Sequence, residues 1–530
     1  MFARQQAMAH PDKPAIIMAS SGETVTFGEY EARGNRVAHL LRDAGLRRGD
    51  HIAVLIENSL RLLEIEAGAE RTGLYYTLVN THLGADEVAY IVANSQAKVL
   101  FSSVARREVA EAAAAQCQSK GQSKGQSKGQ CPGLRRTLMT GPGALPAGWE
   151  SYDTAVARYP AVPVPDESLG AVMLYSSGTT GQPKGILRGL PEADPGEPLP
   201  ARDFVSGLFG FRAGMTYLSP APLYHSAPQA SVAAALRLGC TAIVMERFDP
   251  ERWLALVERY RVTHCQMVPA MFSRLLRLPA EVRARYDTSS LECVVHAAAP
   301  CPAHVKRGMI DWLGPIITEY YAATEANGFT FCTSAEWLAR PGVVGRPVLG
   351  ELLILDGDGS RCPAGTDGIV WFRGATAFEY FRDPVKTAEG RSADGTASTV
   401  GDVGHVDADG YLYLTDRVSY MIISGGVNIY PQEAENVLSA HPAVQDVAVI
   451  GVPNDDLGEE VKAVVQPADQ AAAGPGLAQE LIAYCRDRLA HFKCPRTVDF
   501  LPELPRSETG KLYKRVLRDA YWAGRRSPIV

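Results

Sequence analysis

The sequence predicts an α/β protein with a large N-terminal region of packed subdomains and a small α+β unit at the C-terminus. Three observations carry this. The 530 residues correspond to roughly three to four domain-sized units, which excludes a single small binding module. In the first hundred residues short apolar runs alternate with helical patterns, as βαβ units around a parallel sheet require. The last ~110 residues hold their own strand and helix patterns with few apolar residues to spare, which suits a compact module.

In chain order, Val25-Thr26-Phe27 reads as a short strand. Tyr30 to Ala44 reads as a helix with Val37, Leu40 and Leu41 on one face and Gly45 at its end. His51 to Ile56 and Ala97 to Phe101 read as buried strands. From Gln118 to Gln130 the tetrapeptide Gln-Ser-Lys-Gly repeats three times without apolar residues, which predicts a flexible surface loop. Its three spaced lysines are too weak a patch for nucleic acid or a membrane. Gly189 to Pro200, rich in Pro, Glu and Asp, reads as a second exposed loop. In the C-terminal unit Pro431 suits the first turn of a helix through Glu435 and Leu438. Asp446 to Val452 and Val461 to Gln466 read as strands, and Leu477, Leu481, Cys485 and Leu489 share one helical face.

Composition narrows the function classes. Hydrophobic residues make up 46% and charged residues 21%, close to globular averages, so whole-chain disorder is excluded. The 59 acidic against 53 basic residues leave a net charge of −6, too small and of the wrong sign for a nucleic-acid binder. No apolar run approaches the length of a membrane span, and the N-terminus lacks the apolar core of a signal peptide. Ten cysteines are scattered with no C-x-x-C pair. The expectation is a soluble protein of a reducing compartment, the cytoplasm.

Three stretches carry chemistry. Tyr175-Ser-Ser-Gly-Thr-Thr-Gly-Gln-Pro-Lys-Gly185 follows Ala171 to Leu174, read as a buried strand. Gly178 and Gly181 let successive N–H groups turn toward one anion. Ser177, Thr179 and Thr180 add hydroxyl donors and Lys184 adds charge, which together make a phosphate cradle. It is not a P-loop, because two residues separate Gly181 from Lys184 and Gly185 follows. A polar turn after a strand is the competing reading. Glu319-Tyr-Tyr-Ala-Ala-Thr-Glu325 offers an aromatic ring for a base, then Thr324 and the Glu325 carboxylate for a nucleotide with its Mg²⁺; a polar strand end competes. Asp402 and Arg417 flank a hairpin whose turn is Asp409-Gly410, so they can project the same way, and a carboxylate suits a vicinal diol such as ribose. An ordinary surface hairpin competes there.

In this order the stretches resemble the adenylate-forming superfamily of acyl-CoA synthetases, luciferases and non-ribosomal adenylation domains. The resemblance covers nearly the whole chain. It includes His10-Pro-Asp-Lys-Pro-Ala15, Gly45-Leu-Arg-Arg-Gly-Asp50, Thr263 to Pro269, Gly345-Arg346-Pro347, Ser424-Gly-Gly-Val-Asn-Ile-Tyr-Pro431 and Leu504-Pro-Arg-Ser-Glu-Thr-Gly-Lys511. It implies an AMP-binding N-terminal domain, residues 1–416, with the ATP and carboxylate site, and a mobile C-terminal lid, residues 417–530. The implied reaction has two halves. A carboxylate attacks the α-phosphorus of ATP to give acyl-AMP and pyrophosphate, and a thiol then displaces AMP.

Residue by residue, the resemblance assigns the phosphate loop to Ser177, Gly178, Thr179, Thr180 and Gly181, with Lys184 alongside. Tyr321 would stack on adenine beside Ala298, Thr324 would hold the α-phosphate, and Glu325 would hold Mg²⁺. Asp402 and Arg417 would bind the ribose, and Lys511 would bridge carboxylate and α-phosphate. His225 matches a position beside the carboxylate and acyl tunnel, and Gly425 and Gly426 would line the pantetheine tunnel. The chain departs from the family pattern at four places. Ser419 stands at the hinge where Asp or Lys is usual, Val400 replaces a threonine, His296-Ala-Ala-Ala-Pro300 replaces a Gly-rich stretch, and Ala322 replaces glycine.

The small residues Ala297 to Ala299 and Ala322-Ala323 suggest a roomy acid pocket. The expected substrate is a fatty acid or related lipid acid, with an aromatic or steroid acid as the alternative. CoA is the expected thiol because no carrier module follows Lys511. A free-standing acyl-AMP ligase that loads a carrier protein is the alternative. No nucleic-acid partner is expected.

Overall fold

The computed structural model describes residues 2–120, 133–176, 183–374, 377–506 and 512–523. The chain divides into two compact units. One comprises Met1–Met267, Leu278–Val295 and Thr376–Glu389; the other comprises Val268–Arg277, His296–Ala375 and Gly390–Val530. Both sides of the 416/417 boundary fall in the second unit.

The first unit is α/β. Its strands Glu150–Ser151, Arg136–Thr140, Ala97–Ser103, His51–Leu55, Tyr75–Leu78 and Ala171–Val172 lie in that order with every pairing parallel. His51–Leu55 is buried at all five positions, as a parallel strand covered on both faces must be. A second parallel set runs His264–Met267, Thr216–Ser219, Thr241–Val244, Pro14–Met18, with Thr24–Thr26 antiparallel on the last.

Local chemistry moves some expected boundaries. The helix spans Phe27–Asp43, because Thr26 accepts the Glu29 N–H and the Glu29 carboxylate accepts the Thr26 N–H. Phe27 therefore opens the helix instead of closing the strand, which is Thr24–Thr26. Gly45, at φ +76°, follows its end as expected. Helix Arg107–Lys120 runs through Gln118, so three residues read as loop are helical, and residues 121–132 of the repeat lie outside the described residues. Ala171 to Leu174 is not one strand. Ala171–Val172 pairs with Tyr75–Leu78, whereas Leu174–Ser176 pairs antiparallel with Lys184–Leu187. The fully buried Met173 sits at the switch, so one apolar run serves two sheets, which periodicity alone does not reveal.

The second unit opens with antiparallel strands Ile317–Tyr321, Phe329–Cys332 and Arg346–Leu349. A four-stranded meander follows: Glu351–Leu355, Gly368–Arg373, Ala397–Val406, Leu412–Arg417. Toward the C-terminus Val427–Ile429, Ile422–Ser424, Gly458–Pro467 and Val444–Asn454 form an antiparallel sheet in that order, and Thr497–Phe500 pairs parallel to Gly458–Pro467. Pro431 is the first residue of helix Pro431–Leu438. Helix Pro475–Arg486 buries Leu477, Leu481 and Cys485, and Leu489 packs on the same cluster just beyond the helix end. No helix among the described residues is long and apolar enough to cross a membrane.

One buried carboxyl of the first unit carries a pH signature. Glu66, on helix Leu60–Glu70, is fully buried, and one of its oxygens accepts from Gln229 Nε2 at 2.9 Å. Burial pushes its carboxyl up to about 8, with the Gln229 bond pulling the other way. An unfolded glutamate ionises near 4.5, so as pH rises the unfolded state loses its proton first. Stability therefore falls between about pH 4.5 and about pH 8 and levels off above. Glu66→Gln keeps an acceptor for Gln229 and removes this component, on the order of 5 kcal/mol over the window. Its melting temperature should decline less than the parent's between about pH 5 and about pH 8; equal declines would mean that Glu66 is ionised in the native state.

Candidate active site

The second unit gathers the expected nucleotide residues around one carboxylate. Asp402 lies directly opposite Arg417 in the hairpin register, so both side chains leave the same face. Arg417 Nε is 2.6 Å from Asp402 Oδ1, and the Tyr321 phenol donates to Asp402 Oδ2 at 2.6 Å. Asp402 is 4% exposed. Burial alone would lower the Arg417 guanidinium, yet Asp402 and then Tyr321 outweigh it and raise it. Burial, reinforced by Asp402, holds the Tyr321 hydroxyl well above the ordinary phenol range, so it stays a donor.

The ring of Tyr321 has a neighbour that no sequence motif announces. Phe372 on strand Gly368–Arg373 lies 6.3 Å away, tilted by 31°. A Cβ at Gly328 would overlap the Phe372 ring, so only glycine lets that ring lie where it does.

Beyond Tyr321 the chain leaves its strand and turns at Thr324-Glu325; Glu325 is buried and Thr324 half-buried. Mg²⁺ takes one or two protein carboxylates and completes its shell with water and phosphate oxygens, so a single Glu325 carboxylate suits it. Ala298 adopts φ +77°, a left-handed backbone that costs an alanine about 1–2 kcal/mol and a glycine little. A glycine there would bear this backbone at little cost, and this chain carries the strain instead. Gly425 and Gly426, at φ +58° and +78°, form the exposed two-residue turn between Ile422–Ser424 and Val427–Ile429, which needs positive φ at both positions.

In the first unit, Lys184 pairs in register with Ser176, so the two close the strands that flank residues 177–182. Its ammonium lies 5.4 Å from the Tyr380 ring centroid. His225 caps helix Ser226–Arg237 through its carbonyl, which accepts the Gln229 N–H at 3.2 Å, and its ring lies 4.6 Å from that of Tyr224. Ser177, Gly178, Thr179, Thr180, Gly181 and Lys511 lie outside the described residues.

The segments around Lys511 are tied down by charge. Arg506 and Leu512 pair antiparallel, and Arg506 Nη2 binds Asp446 Oδ1 at 2.7 Å. The buried Lys514 ammonium is 2.8 Å from Glu435 Oε1 and 5.1 Å from the ring of Tyr420. Tyr420 belongs to the short turn Val418–Tyr420 that contains the exposed Ser419. Burial raises the Glu435 carboxyl, and Lys514 opposes that.

The chain matches the family model described as AMP-binding enzyme over residues 3–381 and that of the AMP-binding enzyme C-terminal domain over residues 433–511. It belongs to the AMP-binding enzymes. It is 30% identical to the long-chain-fatty-acid–CoA ligase FadD13 of Mycobacterium tuberculosis, across 98% of both chains. It is 34% identical to feruloyl-CoA synthase of an Amycolatopsis species across 95% of both. Its fold is similar to that of ATP-bound MatB from Rhodopseudomonas palustris, with a TM-score of 0.80, 28% identity and coverage of 98% of this chain and 99% of that one. The fold class expected from the sequence is that of these enzymes, with the large AMP-binding region preceding a small C-terminal domain.

Removing the phenol oxygen tests the Asp402 cluster. Tyr321→Phe deletes a hydrogen bond to a buried charged group, worth ~1.5–3 kcal/mol, so the melting temperature should fall, and AMP affinity should fall about tenfold in calorimetry because Asp402 is then held from one side only. Gly328→Ala should weaken AMP similarly by displacing Phe372, and should also lower the melting temperature. Unchanged affinity in both variants would separate this cluster from nucleotide binding.

Proposed function

We propose that this AMP-binding enzyme is an acid–thiol ligase, an AMP-forming acyl-CoA synthetase. It uses ATP to convert a hydrophobic carboxylic acid to acyl-AMP and transfers the acyl group to CoA. Its place is the cytoplasm, in fatty acid or lipid metabolism, with ATP, CoA and a lipid acid as small-molecule partners. The observation that supports this best is the Asp402 carboxylate, oriented by Arg417 and Tyr321 beside the Thr324-Glu325 turn, in a chain of this family. The fatty-acid and feruloyl ligases among its relatives support a hydrophobic acid.

Both reactants of the first half-reaction are anions, so positioning and charge neutralisation must supply most of the catalysis. In this reading a carboxylate oxygen of the acid bonds to the α-phosphorus and the bond to pyrophosphate breaks. Asp402 and Arg417 hold the ribose, the Tyr321 ring and Ala298 flank adenine, and Thr324 donates to the α-phosphate. Ser177, Gly178, Thr179, Thr180 and Gly181, with Lys184, hold the outer phosphates. Mg²⁺, held by Glu325, neutralises phosphate charge when bound. Lys511 bridges the carboxylate and the α-phosphate, where negative charge concentrates, and His225 lies toward the acid.

In the second half-reaction the thiol sulfur bonds to the acyl carbon and the bond to AMP breaks. Residues 417–530 act as a lid that turns about Ser419, an exposed position in a short turn, and so exchange Lys511 for Gly425 and Gly426 beside the pantetheine arm. Any residue that absorbs a φ/ψ change serves as such a pivot, so serine suffices.

Pyrophosphate release should depend on a long-chain or ring-bearing acid, and mass spectrometry should find the thioester only when CoA is present. A thioester on a carrier protein, with none on CoA, would redirect the second half-reaction. Lys511→Ala should abolish acyl-AMP formation yet still convert supplied acyl-AMP to acyl-CoA. Equal loss of both steps would remove Lys511 from its role.

A further inference from the structure

The second unit buries a second charge cluster that no part of the reaction described above uses. Lys306, on helix Ala303–Leu313, is fully buried, and its ammonium pairs with the Glu319 carboxylate. Glu319 is 6% exposed and lies two residues before Tyr321 on the same strand. The fully buried His296 closes the cluster, with Nε2 3.5 Å from Glu319 Oε2. Neither ring nitrogen of His296 has a hydrogen-bond partner among the described residues, and Phe272 stands edge-on 5.3 Å away. The Trp337 ring lies 5.1 Å from the Lys306 ammonium, and Cys332 pairs with Glu319 across the strands.

Stability does not account for such a pair. Desolvating two charges costs about what their attraction returns, and apolar replacements of similar volume are often neutral or stabilising. What the pair supplies is a defined distance. Lys306 joins a helix to the strand that ends at Tyr321, and His296 is followed at once by Ala297 and the strained Ala298. His296 stays neutral, because burial and then Lys306 both disfavour its charged form, while burial raises the Glu319 carboxyl against the pull of Lys306.

We propose that the Lys306–Glu319 ion pair, with His296 against it, is a positioning device that sets the spacing between Tyr321 and the segment Ala297–Ala299 and so gauges the slot for the adenine base. This rests on the reading of Tyr321 and Ala298 as the adenine contacts. Lys306 and Glu319 touch no substrate in it; they act through the ring of Tyr321 and the backbone of Ala298.

The double variant Lys306→Met/Glu319→Leu tests this without stranding a buried charge, and pyrophosphate exchange on the full-length enzyme reads it. KM for ATP should rise about tenfold and the preference for ATP over GTP should shrink, while KM for the acid stays within about twofold and the melting temperature does not fall. Single Lys306→Met should give the same KM pattern with a lower melting temperature, because it leaves Glu319 buried without its partner. A folded double variant with parental KM for ATP and parental base preference would overturn the proposal. Failure of the double variant to fold would overturn it as well, since the pair would then be a determinant of stability. Tyr321→Ala separates the two levels. If it raises KM for ATP while the double variant does not, the gauge alone fails; if it too leaves KM unchanged, the adenine reading itself falls.

Discussion

The Asp402 carboxylate is the constraint on which the site proposed for the nucleotide rests. One oxygen faces the Arg417 guanidinium and the other accepts the Tyr321 phenol, each at 2.6 Å, so the carboxylate is held from two directions. A buried carboxylate is costly without such partners and specific with them. The hairpin register brings Arg417 opposite Asp402, and the phenol extends the cluster to the strand Ile317–Tyr321. Phe372, seated over Gly328, braces the same ring from the meander. Orientation of this carboxylate thus depends on sheet pairing, a ring contact and one missing side chain together.

The C-terminal segments repeat the device with other residues. Glu435 and Lys514 form a buried pair beside Tyr420, and Asp446 holds Arg506, which in turn pairs with Leu512. Glu435 also accepts the Val449 N–H at 2.7 Å, so one carboxylate links helix, strand and the final helix. The lid proposed for residues 417–530 would need this internal stiffness, and a hinge residue with little holding it. The exposed Ser419 fits the second requirement.

Much of the secondary structure was legible, because its causes are local. Periodicity marked His51–Leu55 and the Leu477, Leu481, Cys485 face, and Pro431 marked a helix start. The misreadings were local competitions with a physical winner. A capping box at Thr26 drew Phe27 into a helix, and an apolar run at Ala171 to Leu174 was divided between two sheets. Tyr321, Asp402 and Arg417 stood out because motif spacing and a hairpin turn placed them. Lys306, Phe372 and Lys514 did not, because a lysine on a helix and a phenylalanine in a strand look ordinary until their partners arrive. Glu319 and His296 were inside quoted motifs, yet their pairing depends on how helix Ala303–Leu313 packs.

By itself the sequence determined the family, the reaction class and the order of the motifs, since these depend on residue identity and spacing along the chain. It also fixed where glycine is absent, at Ala298 and Ala322, without saying what that costs. Only the tertiary structure decided that Ala298 is strained, that the Tyr321 hydroxyl is spent on Asp402, and that Lys306 sits buried beside Glu319. Burial, left-handed backbone and a 2.6 Å contact between residues eighty-one apart are relations between distant segments, and they exist only once the sheets have paired.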